Sequence, residues 1–188
     1  MAQINRPGRT IWLPTGNPDT TNITSADFNA LGGQPGSLGL RFDTAGGSYQ
    51  RVQLDSGATA ATSVGVVAAN QLAYWKSKAN YIVTNDVAQA LGGAGASNSA
   101  FRNFVAGIFR MANTAGNYCD VLQKGQSIAV KSDGNGAVGD YIVSDTSTST
   151  ARATNVAAGT APTCRTIGIA RGAAAGGNIN VDVDIPEV

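Results

Sequence analysis

The sequence predicts a mainly β protein: an antiparallel β-barrel or sandwich with one or two short helices and an extended N-terminal arm. Three observations predict it. Residues that cover helix surfaces are scarce: only 13% of the 188 residues are charged, with four lysines and a single glutamate, Glu187. Turn formers are plentiful, with 24 glycines and eleven aspartates. Apolar pieces of strand length recur every 8–15 residues between Gly, Asn, Asp and Ser clusters.

Residues 1–37 differ from the rest. They hold Pro7, Pro14, Pro18 and Pro35, four of the six prolines. Proline removes a donor and pushes its predecessor to extended conformations, which argues against a central strand or a long helix. Ile11, Trp12 and Leu13 nevertheless stand together there, and three large apolar residues need a surface to cover them. The predicted division is an extended arm over 1–37 and a β-rich domain over 38–188.

A short helix is predicted at about 24–31, capped by Thr24 or Ser25 and ended by Gly32-Gly33. The signal recurs at 84–91 before Gly92-Gly93. TSADFNALGG echoes TNDVAQALGG, and TAGGSYQRVQLDSG (44–57) echoes TAGNYCDVLQKG (114–125). Paired echoes in the same order suggest a duplication or two similar half-sheets.

The strands follow: 49–54, 63–69, 72–76, 80–84, 103–112, 117–123, 127–131, 140–144, 150–154, 165–170 and 178–185. The last alternates cleanly, with Ile179, Val181, Val183 and Ile185 on one side and Asn180, Asp182 and Asp184 on the other. The stretch 101–109 fits a helix stripe and a strand about equally. Gly107 and the β-branched content tip it to strand from about 103.

Composition also bounds function. There is no histidine, so His-based triads, Cys–His dyads, HExxH zinc sites and histidine pH switches are excluded. Net charge is +1 with no basic run, which argues against tracking nucleic-acid phosphates. No apolar stretch approaches the roughly 20 residues that span a bilayer, and MAQINRPGRT lacks the apolar core of a secretory signal. Cys119 and Cys164, 45 positions apart, read as unpaired buried thiols rather than a disulfide.

Motifs that carry chemistry elsewhere read as structure here. GNGAVG (134–139) matches G-x-G-x-x-G, but both flanks are strand-like, so a hairpin turn around Asp133-Gly134-Asn135-Gly136 is expected instead of a dinucleotide site. The same DGNG lacks the further carboxylates of a calcium loop. Asp182 and Asp184 read as a solvated strand face. Asn22-Ile23-Thr24 is a sequon read as incidental. Neither S-x-x-K nor G-x-S-x-G occurs, and no catalytic, cofactor or metal residues are assigned.

The second half resembles the capsid cement, or decoration, proteins of tailed bacteriophages. The resemblance rests on Val105-Ala106-Gly107, Thr114 through Gly125, Gly139-Asp140 and Ile167-Gly168-Ile169-Ala170. More diffusely it covers 49–188, with YQRVQLDSGATAATSVGVVAA (49–69) as the domain's opening. It implies a structural virion protein on the outer surface of the capsid that stabilises the shell. It further implies a homotrimer at three-fold or quasi-three-fold positions, with the major capsid protein as partner. No enzymatic activity, cofactor, nucleic acid or membrane is implied. The arm departs from the shorter family pattern. Arg6, Arg9, Ile11, Trp12 and Leu13 are the candidate capsid or subunit contacts; the opposite charges at the two ends read first as plain solubility, and otherwise as steering the arm toward the acidic last strand of an adjacent copy. Two rivals remain. One is a receptor- or carbohydrate-binding virion module, such as a head fibre or tail component, for which Tyr74 and Trp75 could serve, although their strand-like stretch reads first as core packing. The other is an enzyme with an assembled aspartate pair.

Overall fold

The structure, a computed structural model, describes residues 2–6, 9–13, 40–42, 47–56, 59–60, 63–64, 66–92, 100–146 and 151–185. For residues before 47, and over 59–66, the description is of the backbone.

The fold is mainly β. In the N-terminal segment β1 (Ala2–Arg6) and β2 (Arg9–Leu13) pair antiparallel as a separate two-stranded ribbon. The extended arm therefore begins as a ribbon, with its prolines outside the paired residues. The helix expected at 24–31 lies outside the described residues.

A barrel comes next. After β3 (Leu40–Phe42) and β4 (Ser48–Leu54) come three two-residue strands, β5 (Thr59–Ala60), β6 (Ser63–Val64) and β7 (Val66–Val67). β8 (Leu72–Ser77) and β9 (Ile82–Thr84) follow, then β10 (Val105–Phe109), the short β11 (Asn113–Thr114) and the 14-residue β12 (Tyr118–Lys131). In space the order β12-β10-β8-β9-β4 closes on itself through a β4–β12 pairing. An odd ring cannot close with every neighbour antiparallel. The parallel pair that parity demands is β4–β9, with Gln53 opposite Ile82 and the Gln53 and Asp55 amides donating to the Tyr81 and Val83 carbonyls. The expected β-barrel is thus present, antiparallel in every strand pair but this one. The signal at 84–91 forms a single 3-10 turn, Val87–Gln89, whose first turn is capped by Asp86 accepting from the Ala88 amide at 2.9 Å. A second 3-10 turn, Ala100–Asn103, precedes β10 and resolves the ambiguity of 101–109.

A second sheet grows from the far half of β12. There β16 (Asn178–Asp184) pairs with it, followed outward by β15 (Thr166–Ala170), β13 (Tyr141–Ser144) and β14 (Ala153–Val156), all antiparallel. One strand thus serves both halves. Sequence reading divides it at Lys124-Gly125 into 117–123 and 127–131, but the chain bends through a bulge. Gly125 opposes Val183 and Ile128 opposes Val181, which leaves one residue extra on β12. Ser127 takes φ 52° at the bend, and its amide donates at 3.0 Å to the Asp182 carboxylate.

Two apolar clusters fill the molecule. Ala73, Trp75, Ala106, Phe109, Cys119 and Val121 pack inside the barrel with Val52 and Leu54. Leu72, Tyr74, Val105, Ile108 and Leu122, from the alternate positions of the same strands, meet Ile142, Ile167, Ile179 and Val181 of the second sheet. Both faces of β10 are therefore buried, which is why 101–109 shows no clean alternation. Close backbone approach is built in at two glycines. A Cβ on Gly107 would stand 2.8 Å from both the Val121 Cβ and the Leu122 carbonyl oxygen. One on Gly168 would fall inside the Asp182 carbonyl.

The sequence echo has a structural counterpart. Arg51 opposes Asp120 in the β4–β12 pair, and Tyr49 and Val52 precede and follow Arg51 as Tyr118 and Val121 do Asp120. The two echoing strands are thus related by a local two-fold centred on a bidentate Arg51–Asp120 ion pair. The other half of the echo, at 24–33, lies outside the described residues.

Candidate interaction surfaces

The five residues singled out from the sequence all fall on the ribbon. Arg6 is the register partner of Arg9, Ile4 of Ile11, Gln3 of Trp12 and Ala2 of Leu13. The ribbon thus brings the two arginines to one end and the three apolar residues along one strand. Like charges directly opposite one another in an antiparallel pair are destabilising unless an anion offsets them.

The acidic face of β16 was the expected steering target. As expected from its alternation, Ile179, Val181, Val183 and Ile185 are buried, while Asn180 and Asp184 are exposed and Asp182 is half-buried. The strand is interior to the sheet, however, with β12 on one side and β15 on the other. Its carboxylates are in use: Asp182 pairs with Arg171 and accepts the Ser127 amide, and Asp184 lies 3.7 Å from Lys124.

Carboxylates elsewhere are similarly engaged. Asp55 binds Lys76 at 2.8 Å and Asp145 binds Arg152 at 2.6 Å. Asp140 ties the 132–140 segment to β14 and to the chain just after it. Its Oδ2 accepts from the Ala137 amide at 2.9 Å and the Asn155 side chain at 2.8 Å, and its Oδ1 from the Ala158 amide at 3.0 Å. Asp133 accepts from the Asn135 amide at 3.0 Å, the Asn135 side chain at 3.1 Å and the Thr154 hydroxyl at 2.7 Å. No group of three or more metal-ligating side chains occurs among the described residues.

The segment 132–140 also corrects an expectation. It is no hairpin turn, because β12 and β13 are not partners. β16 holds β12 at that end, and β13 lies between β14 and β15. A strand rather than a helix follows the glycines, as expected, so no helix N-terminus stands behind them.

These carboxylates make stability depend on acid. The Ala137 amide, then Asn155 and the Ala158 amide, hold the Asp140 carboxyl below its ordinary value. The Ser127 amide, aided by Arg171, does the same for Asp182. At Asp133 partial burial acts upward, but the bonds from the Asn135 amide, Thr154 and the Asn135 side chain prevail and the net direction is down. A depressed folded value adds stability above the unfolded value, about 3.9, and that stability fades as pH drops below it. The urea midpoint should therefore be flat from neutrality to about pH 5 and fall steeply below about pH 4. Asp140→Asn should lower the neutral midpoint and flatten the acid slope. A slope unchanged by that substitution would contradict the clamp.

The aromatics of the carbohydrate-binding reading are inside. Tyr74 and Trp75 are 0% and 4% exposed. The Tyr74 hydroxyl meets the Ser144 hydroxyl at 2.8 Å, and burial pushes its phenol well above the ordinary value. Cys119 and Cys164 are unpaired. Cys119 is buried as expected, whereas Cys164 is half-exposed. Burial raises both thiols, which disfavours the thiolate.

Sequence reasoning missed the outer face of the second sheet. Ile169 on β15 is an exposed large apolar residue, at 48%, as is Val138 in the turn before β13, at 68%. Ile169 is the register partner of Tyr141, which in turn opposes Val156, and both are half-buried. Alternation would have placed Ile169 with Ile167 inside. A register shift between β13 and β15, where Ile142 opposes Gly168 but Val143 opposes Thr166, reverses the alternation beside it so that Ile169 turns out, and no local pattern announces the shift. None of the described helices is long and apolar enough to cross a membrane. No family model, curated protein or solved structure matches the chain.

Proposed function

We propose that the chain is a structural virion protein that binds the outer surface of a tailed-phage capsid as a homotrimer and reinforces the shell at three-fold or quasi-three-fold positions. The observation that carries this reading is the set of segments resembling phage cement proteins. Val105–Gly107 and Thr114–Gly125 fall on β10, β11 and β12, Gly139-Asp140 on the clamp before β13, and Ile167–Ala170 on β15. They occupy the joints of the molecule: the close approach at Gly107, the shared strand β12, the Asp140 clamp and the Gly168 contact.

The physics of cementing agrees. Weak contacts multiplied around a symmetry axis can raise attachment by 10²–10⁴ over one contact without any reactive group. The ribbon supplies a gripping element. Its partnered Arg6 and Arg9 call for carboxylates on the surface they meet, and Ile11, Trp12 and Leu13 supply apolar anchors.

Removing residues 1–37 should abolish binding to undecorated heads or trimer formation, read by co-sedimentation and by solution mass. Full decoration by the truncated chain would overturn the ribbon's role. Sedimentation equilibrium of the intact chain tests the assembly itself. A mass three times 19.0 kDa is expected, and a monomer at every concentration would contradict the trimer.

A further inference from the structure

We propose that Asn135 is a site of spontaneous, structure-selected deamidation that converts the end of the second sheet to a more acidic and looser form. Asn135-Gly136 is the single Asn-Gly step in the chain, and Asp133-Gly134 beside it is the single Asp-Gly step. Both can close a five-membered succinimide, because glycine has no Cβ to crowd the attacking amide nitrogen. The structure separates them.

At Asn135 the reacting groups are accessible. The residue is exposed, and among the described residues the Gly136 amide donates to no acceptor. The Gly136 nitrogen attacks the Asn135 side-chain carbonyl carbon and gives its proton to solvent. The new C–N bond forms as the bond to the side-chain nitrogen breaks, and ammonia leaves. Water then opens the ring at either carbonyl, giving aspartate or isoaspartate, with no change of oxidation state. At Asp133 the same attack must expel oxygen from a carboxylate. Three hydrogen bonds, from the Asn135 amide, the Asn135 side chain and Thr154, hold that carboxylate in place. A carboxylate anion is a poor electrophile, so the neighbouring site is suppressed.

The two bonds from Asn135 to Asp133 set the pace. They are exposed and exchange with water, so they slow the reaction relative to a free peptide without blocking it. The product places a new carboxylate beside Asp133. The isoaspartate form also adds a methylene to the backbone just before Gly136, whose carbonyl accepts the Ala174 amide at 3.2 Å. Gly136 lies so close to β16 that a Cβ there would stand 2.5 Å from the Ile179 Cδ1. Lengthening the chain at that point therefore strains the contact between the 132–140 and 171–177 segments.

The test is ageing of the intact protein in mildly alkaline buffer made with heavy-oxygen water, followed by rapid tryptic mapping at mildly acidic pH. Cleavage after Lys131 and Arg152 releases one peptide that carries both Asp133 and Asn135 and no other asparagine. Expected is conversion at Asn135 ahead of every other asparagine, with label incorporated, isoaspartate as the main product and Asp133 unchanged. The rate should be several-fold below that of the isolated peptide, and Asn135→Gln should stop it. Amides of 171–177 should exchange faster in the aged protein. Retention of the Asn135 amide while other asparagines convert would overturn the proposal, as would isoaspartate at Asp133 at an equal rate.

Discussion

Gly168→Ala is expected to be the most damaging small substitution in the second sheet, lowering stability by about 3 kcal/mol, at the top of the usual overpacking range. The added Cβ falls inside the Asp182 carbonyl, which is backbone and cannot swing aside like the end of a flexible side chain. β15 would have to separate from β16 where Gly168 opposes Val183. Gly172→Ala is the control, since nothing lies within 4 Å of a Cβ there, and a change within about 0.5 kcal/mol is expected. Urea denaturation of the two variants decides the matter. Equal midpoints would show that the β15–β16 approach is not as tight as described.

Phe109→Ala should cost about 3–5 kcal/mol, the usual range for emptying a buried aromatic site. Phe109 is fully buried in the barrel interior, in the cluster that includes Trp75 and Val121. Its wider consequence follows from β12. That strand is a wall of the barrel and the root of the second sheet, and the outer faces of β8 and β10 form half of the shared core. A cavity inside the barrel should therefore destabilise β13 and β14 too, although Phe109 does not pair with them. Hydrogen exchange should show the most protected β13 amides losing protection as much as those of β8. Loss confined to β8, β9 and β10 would mean that the halves unfold separately.

Much of this architecture was legible because strands announce themselves locally. Ile179 through Ile185 alternated in sequence and alternates in burial. The Tyr-x-x-Val echo marked two strands that prove to be partners around Arg51 and Asp120. What could not be read was decided by residues distant in the chain. Lys124-Gly125 looks like a turn, and it is a strand because Asp182, 55 positions from Ser127, takes the amide that the bulge frees. The 132–140 segment looks like a hairpin, and it is a crossing because β16 already holds that end of β12. The Asp140 clamp reaches 15 and 18 positions forward, to Asn155 and Ala158, and nothing around Asp140 signals it. The residues at 6 and 9–13 proposed as contacts fall on the ribbon, whose register makes the two arginines partners. The outward turn of Ile169 depended on a register shift that only pairing reveals.

The proposal that this chain is capsid mortar meets its most direct test in co-sedimentation with undecorated heads of tailed phages. The account predicts saturable binding, with copies in multiples of three at each three-fold position and greater resistance of the decorated heads to heat or chelation. Intact protein that stays in the supernatant at every concentration, with heads unchanged in stability, would contradict it.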